Sequence, residues 1–168
     1  MEFEDVIRKR ESTRKFSDKA VDTNILNKIL EAGRLAPTAK NIQPFKIYVV
    51  KTKEGLEKID KASRCRYNAP IVLLICGNKE EAFKDEFGST YETDASIVTT
   101  HMMLEATNLG VDNIWIRLFD EKVLREEFNI SNEFIPVALL PIGYRTDDCP
   151  NSPRHNIRKD IEELVEYC

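Results

Sequence analysis

The sequence predicts a layered domain built from α-helices and β-strands, and three observations support that fold class. Helical and strand-like segments alternate along the whole chain, and no linker or internal repeat separates them. Consecutive strands are joined by helices, which favours an α-and-β domain over a helical bundle or a β-sandwich. The length of 168 residues and the 42% hydrophobic content suit one domain, residues 1–168, with a sizeable core.

The first two elements are expected to be helices. A short helix is predicted from Phe3 to Lys9, with Val6 and Ile7 on its apolar face. Asp22 is a credible N-cap for the second helix, because a carboxylate accepts hydrogen bonds from the free N–H groups of the first turn. Pro37 ends this helix soon afterwards. Its apolar and small positions follow helical spacing: Ile25, Leu26, Ile29, Leu30 and Gly33.

Two strands and a charged helix follow. Residues Lys46–Val50 alternate in polarity and are β-branched, which predicts a strand. A charged helix from about Glu54 to Ser63 leads to an apolar strand, Ile71–Cys76. The whole apolar run, Ala69–Gly77, is far too short to span a bilayer and indicates a buried strand.

A long helix is predicted from about Glu92 to Asn108. Ser89 and Glu92 form a capping-box pattern at its start, and Gly110 is the expected stop signal. Its small and apolar residues cover more than one face. That distribution is typical of a helix at the centre of a core or of a dimer interface.

The C-terminal third continues the alternation of elements. A strand is predicted at Asn113–Ile116, and Asp120 is expected to cap a short helix that ends at Phe128. Residues Pro136–Gly143 form the last core strand. After a polar, proline-containing segment, a terminal helix is predicted from Asp160 to Tyr167.

Composition and charge exclude several classes of protein. The 25 basic and 29 acidic residues give a net charge of -4, so the broad basic field of a nucleic-acid-binding protein is missing. The N-terminus is acidic and has no apolar core, so we do not expect it to be a signal peptide. The four cysteines show no CxxC spacing and the two histidines have no nearby partner. We therefore expect a cytoplasmic protein with reduced thiols and no metal site.

The most informative motif lies near the N-terminus, where Arg10, Ser12 and Arg14 occupy alternate positions. Alternate residues of an extended segment point the same way, so these three side chains can converge on one small target. Two guanidinium groups and a hydroxyl suit a phosphate or another oxygen-rich anion. The glycine-rich nucleotide motifs GxGxxG and GxxxxGK[ST] are missing, so side chains would have to hold such a phosphate.

Four motifs occur in order along the chain. The first two contain Arg-Glu-Ser-Thr-Arg and Ala-Pro-Thr-Ala-Lys-Asn; the last two contain Asn-Ile-Trp-Ile-Arg and Pro-Ile-Gly-Tyr-Arg. A later arginine completes the pattern. These segments are Arg10–Phe16, Ala36–Phe45, Gly110–Asp120, Pro141–Arg145 and Arg154. In their order and spacing they resemble the nitroreductase family of flavin enzymes, and the resemblance covers nearly the whole chain.

The resemblance implies an α+β fold with a central, mostly antiparallel sheet flanked by helices, in an intertwined homodimer. It also implies FMN at the subunit interface and ping-pong transfer of electrons from NAD(P)H to a nitroaromatic, a quinone or a similar acceptor. The flavin carries such chemistry, so no catalytic side chain is expected. Two alternatives stay open: a flavin-binding carrier or redox sensor without turnover, and a specialised flavin dehalogenase or dehydrogenase.

The resemblance also assigns site residues. Arg10 and Arg154 would hold the FMN phosphate, Ser12 with the backbone around Glu11 would contact the phosphate or ribityl chain, and Arg14 would lie near the pyrimidine edge of the ring. Two further groups would contact the flavin. The first would reach the flavin bound mainly by the other subunit: Pro37, Thr38, Ala39 and Asn41. The second would pack beside the ring, with a backbone N–H near Arg117 facing N5: Trp115, Ile116, Arg117 and Leu118.

Three features depart from the family pattern or have simpler explanations. Arg117 and Leu118 stand where relatives often have small residues, and they could narrow the pocket or select an anionic substrate. Some relatives have a lysine at the position of Ser152, so one phosphate cation fewer is expected here. Trp115 could instead serve core packing alone.

Overall fold

A computed structural model describes all 168 residues, and a four-stranded antiparallel sheet forms its centre. The strand order is β1-β2-β6-β5, and every neighbouring pair is antiparallel. The predicted α+β class and the mostly antiparallel sheet are therefore confirmed. The strands are β1 (Phe45–Val50), β2 (Ile71–Asn78), β5 (Asp112–Asn113) and β6 (Phe134–Gly143), and a separate small hairpin pairs β3 (Lys84–Asp85) with β4 (Gly88–Ser89).

Helices cover both faces of the sheet. The pair α2 and α4 packs on one face, and the pair α3 and α5 packs on the other. None of these helices is long and apolar enough to cross a bilayer. The helices are α1 (Phe3–Lys9), α2 (Thr23–Arg34), α3 (Lys53–Ala62), α4 (Tyr91–Asn108) and α5 (Glu121–Phe128).

Burial of β2 on both faces of the sheet explains why its sequence is apolar at successive positions and does not alternate in polarity. Leu73 and Ile75 belong to the core cluster beneath α2 and α4, whereas Val72 and Leu74 belong to the cluster beneath α3 and α5. Successive side chains of a strand point to opposite faces, so a strand covered on both faces needs apolar residues at every position. All eight residues of β2 are buried.

The predicted helix boundaries at charged and glycine residues are confirmed. The Asp22 carboxylate accepts hydrogen bonds from Asn24 N and Ile25 N at 2.8 and 3.4 Å, and Asp120 accepts one from Val123 N at 3.1 Å. At the end of α4, Gly110 has a φ of 73°, a left-handed conformation that costs glycine little.

The predicted capping box of α4 is wrong. Ser89 belongs to the hairpin strand β4, and Thr90 is the N-cap residue. The Thr90 hydroxyl donates to the side chain of Asp94, at 2.8 Å from Oδ2, and does not cap a backbone N–H group of the first turn. The prediction placed the start of the helix one residue too late.

Two other predicted elements are shorter than expected. Regular pairing in the predicted strand Asn113–Ile116 stops after Asn113, and Ile116 forms only an isolated bridge to Leu139. The predicted terminal helix is wrong, because only a 3-10 turn, Ile161–Glu163, is present. The apolar side chains of Ile161 and Leu164, within the predicted helix, are exposed. A segment this short lacks the tertiary packing that stabilises most protein helices.

Burial of Cys76 makes stability depend on pH in the alkaline range. Burial raises the pKa of this thiol to about 12, against an ordinary value of 9.0. Between these values the unfolded chain loses a proton that the native state keeps, so stability falls as pH rises above about 9. From pH 8 to pH 10, we expect the wild type to lose about 1 kcal/mol more unfolding free energy than Cys76→Ala. Urea titrations under reducing conditions measure this difference; equal losses in the two proteins would contradict it.

Candidate functional site

An extended segment after α1 is fixed to the edge of the sheet by backbone hydrogen bonds. Thr13 N donates to Asn113 O, and Phe16 N donates to Tyr67 O, each at 3.0 Å. Thr13 and Phe16 are buried. The residues between and before them, at positions 10, 12 and 14, line one pocket together. The convergence predicted from alternate spacing is therefore present.

That pocket is formed entirely by polar and charged side chains. Its volume is about 210 Å³, and residues from the two ends of the chain meet in it. A pocket without an apolar wall does not suit an aromatic ring but does suit a small, strongly solvated anion. The lining residues are Arg10, Glu11, Ser12, Arg14, Ser152, Arg154, His155 and Arg158. We refer to this set as the arginine pocket.

The arginine pocket holds most of the arginines that form no ion pair within the chain. Six of the eleven arginines form an ion pair with a carboxylate. Of the remaining five, four line this pocket, and only Arg64 lies elsewhere. Four unpaired guanidinium groups around one cavity repel each other, and a bound anion would relieve that repulsion.

Glu11 is the one acidic residue of the pocket, and its carboxylate is already occupied. Ser152 N donates to Oε1 at 2.6 Å, and Arg145 Nη1 donates to Oε2 at 3.2 Å. Burial acts to raise the pKa of Glu11, but the hydrogen bonds from Ser152 and Arg145 outweigh it and hold the pKa below its usual range. Glu11 therefore stays ionised and ties the C-terminal segment to the pocket.

Two arginines of the pocket converge on Ser12. Arg10 Nη1 donates to Ser12 Oγ, and Arg14 Nη1 donates to the Ser12 carbonyl oxygen, both at 3.3 Å. Partial burial, together with repulsion from Arg158, holds the pKa of Arg10 below its usual range. An arginine remains protonated in proteins, so the shift expresses an unfavourable charge that an anion would stabilise.

The second predicted group of site residues lies outside the arginine pocket, on the loop that follows α2. Thr38 and Ala39 begin a 3-10 turn in which Lys40 and Asn41 have positive φ angles of 51° and 55°. The buried carboxylate of Asp94 fixes this loop, since Ala39 N donates to Asp94 Oδ1 at 2.9 Å. Left-handed backbone at non-glycine residues is strained, and such strain clusters at functional sites. Pro37 lies at the start of the same loop.

The third predicted group runs out of the core toward solvent. Trp115 is half-buried and packs against the core beneath α4, as the simpler interpretation predicts, and Ile116 is buried. Arg117 and Leu118 are exposed, and their backbone N–H groups donate to no atom of the chain. The Arg117 side chain lies 4.0 Å from Glu92, so part of its charge is offset.

Sequence reasoning missed several residues of the site. Arg158 belongs to no recognised motif and follows Arg154 in a coil, so spacing gave no signal. His155 also lines the pocket, and in the sequence only its position next to Arg154 indicates this. Asp94 is an acidic residue inside a helix, where only the tertiary structure reveals its contact with the loop.

Comparison with known proteins adds a family assignment to this geometry. The model of the nitroreductase family matches residues 7–68 and 66–144. Among curated proteins, a relative from Methanothermobacter thermautotrophicus is 27% identical over 88% of this chain and 80% of its own length. It is named "Putative NADH dehydrogenase/NAD(P)H nitroreductase".

Solved structures with the same fold include nitroreductase family proteins from two clostridia. The protein from Clostridium difficile 630 is 36% identical, with a TM-score of 0.93 over 99% of this chain and 98% of that one. The protein from Clostridium novyi NT is 33% identical, with a TM-score of 0.81 over 88% and 87%. A protein from Exiguobacterium sibiricum 255-15, crystallised in complex with FMN, shares the fold at 18% identity and a TM-score of 0.87 over 100% and 98%.

Proposed function

The chain belongs to the nitroreductase family, and from this premise we propose that it is an FMN-dependent oxidoreductase. NAD(P)H is the proposed electron donor, and a nitroaromatic, a quinone or a similar small molecule is the proposed acceptor, in a ping-pong cycle. The names of curated relatives include NAD(P)H nitroreductases, and one protein of the same fold was crystallised with FMN. Both observations support a flavin oxidoreductase.

The observation that carries the proposal is the set of four unpaired arginines in one pocket. The phosphate of FMN is close to doubly charged at neutral pH, so it calls for at least two strong cations. Arg10 and Arg154 are the proposed phosphate ligands, with Ser12 and the backbone around Glu11 as hydrogen-bonding partners. The all-polar lining fits a phosphate end, which leaves the aromatic end of the cofactor to other parts of the chain.

Around the flavin ring, we propose roles for one charged side chain and for two backbone N–H groups. Arg14 would lie near the pyrimidine edge, where a cation stabilises the negative charge of the reduced ring. The free N–H groups of Arg117 and Leu118 are available to hydrogen-bond the ring nitrogen N5. Bound FMN supplies the hydride and electron transfer itself. The protein therefore needs to position the ring and tune its charge, without a catalytic acid or base.

A homodimer with FMN at its interface is part of the proposal. Large apolar side chains are exposed at both ends of the chain, and burying them against a second copy of the chain would stabilise a dimer. The loop at 37–41 would then reach the flavin held mainly by the partner subunit. The exposed residues concerned are Phe3, Ile7, Ile157, Ile161, Leu164 and Val165.

A visible spectrum of the purified protein, followed by anaerobic titration with NADH and NADPH, tests the proposed activity. We expect bound FMN, or its uptake when it is offered, and bleaching of the flavin band by at least one nicotinamide. Reoxidation by a quinone or nitroaromatic should then restore the band. A protein that binds no FMN would refute the cofactor assignment. A protein that holds FMN but is reduced by neither nicotinamide would instead be a flavin carrier or sensor.

A further inference from the structure

Arg158 occupies a place in the arginine pocket that no sequence motif assigns to it. It lies on the C-terminal segment, four residues after Arg154, and its guanidinium Nη1 donates to the carbonyl oxygens of His155 and Ile157 at 2.6 and 2.7 Å. These contacts fold the side chain back over its own turn. The remaining N–H groups of the guanidinium donate to no atom of the chain.

The segment that carries Arg158 is fixed to the N-terminal half of the pocket at two points. Ser152 N donates to the Glu11 carboxylate, and His155 Nε2 lies 3.1 Å from the Arg8 carbonyl oxygen at the end of α1. Arg158 is thus held by the fold close to Arg10, rather than extended freely into solvent. Ordering a long side chain in advance lowers the entropy that binding costs.

No carboxylate neutralises Arg158, although it faces other cations. Repulsion between it and Arg10 contributes to the lowered pKa of Arg10, and the one acid of the pocket, Glu11, is engaged by Arg145 and Ser152. Two guanidinium groups held near each other without an acid are unfavourable unless an anion bridges them. A dianionic phosphate satisfies this requirement better than a single chloride or carboxylate.

We propose that Arg158 is a further phosphate-binding residue and that it supplies the cation missing at Ser152. It would act with Arg10 and Arg154 on the same phosphate, approaching it from the C-terminal side. The role is one of binding and not of catalysis, since phosphate and reacting ring lie at opposite ends of FMN. The assignment holds only if the pocket binds the FMN phosphate, as proposed for the activity.

The test compares FMN with riboflavin, which has the same ring but no phosphate, using quenching of flavin fluorescence. For Arg158→Ala we expect a roughly tenfold rise in the Kd for FMN, with the Kd for riboflavin unchanged. Arg158→Gln keeps N–H donors but loses the charge, so it should weaken FMN binding to a similar degree. Arg158→Lys should lose less than either.

Lys159→Ala is the matched control. Lys159 is the next residue, it faces Glu163 at 4.0 Å, and it lines no part of the pocket. Its removal changes the net charge of the protein by the same amount and should leave the Kd for FMN within about twofold of the wild type.

The outcomes separate the two proposals. Wild-type affinity for FMN in Arg158→Gln, or equal losses in the Arg158 and Lys159 variants, would overturn the role of Arg158 while leaving the flavin function intact. A wild type that binds riboflavin as tightly as FMN would overturn the phosphate site as a whole. A wild type that binds neither flavin would overturn the proposed function and Arg158 with it.

Discussion

Replacing Arg10 with alanine is expected to weaken FMN binding roughly one hundredfold. Arg10 is partly buried, hydrogen-bonds Ser12 Oγ, and forms no ion pair within the chain. Its guanidinium is therefore available for two charge-assisted hydrogen bonds to one phosphate. Calorimetric titration of the apoprotein with FMN measures the change.

Arg8→Ala provides the control for this variant. Arg8 lies two residues earlier, forms an exposed ion pair with Glu4, and does not line the arginine pocket. Exposed pairs of this kind contribute little to stability, so the pocket should remain intact in Arg8→Ala. The FMN affinity of this variant should therefore stay within about twofold of the wild type. If Arg10→Ala and Arg8→Ala both bound FMN as tightly as the wild type, Arg10 would have no role in holding the phosphate.

Gly77→Ala is expected to cost roughly 3 kcal/mol of unfolding free energy. A Cβ added at Gly77, in β2, would lie 2.6 Å from the carbonyl oxygen of Tyr91, the first residue of α4. Backbone cannot rotate away as a side chain can, so the helix itself would have to shift. Because Asp94 lies one turn further along α4 and holds the loop at Ala39, we expect this variant also to disturb the strained loop.

Gly110→Ala separates close packing from backbone conformation. An added Cβ at Gly110 meets nothing within 4 Å, but its φ of 73° is left-handed. That conformation costs an alanine about 1 kcal/mol, so Gly110→Ala should be clearly less destabilised than Gly77→Ala. Urea-induced unfolding of both variants gives the comparison. If Gly77→Ala cost no more than the roughly 1 kcal/mol expected for Gly110→Ala, α4 could move away from β2 at little cost.

The sequence predicts this fold well wherever a local signal and the tertiary structure agree. Asp22 and Asp120 cap their helices because a carboxylate before a first turn needs no distant partner. The apolar run of β2 identifies a strand buried on both faces, whatever its neighbours are. The terminal helix failed for the complementary reason. Ile161 and Leu164 have helical spacing, but their side chains are exposed and are not packed in the core of the chain.

Within the site, the side on which a residue of an extended segment lies follows from its position in the sequence, whereas its partners from distant segments do not. Arg10, Ser12 and Arg14 share a face because an extended chain alternates, so their convergence can be predicted from spacing. Arg158 joins them only because Glu11 and the end of α1 fix the C-terminal segment in place. No local pattern places Arg158 in this pocket, because the contacts that hold its segment join residues more than a hundred positions apart.

The meeting of both chain ends in the arginine pocket has a consequence for biosynthesis. Residues 10–14 leave the ribosome well before residues 152–158 are made. A nascent chain can fold its N-terminal elements during synthesis, yet it cannot assemble a pocket whose second half is still inside the exit tunnel. The pocket would therefore be complete only after residue 158 has left the ribosome, and a chain that ends before residue 152 would lack Arg154 and Arg158.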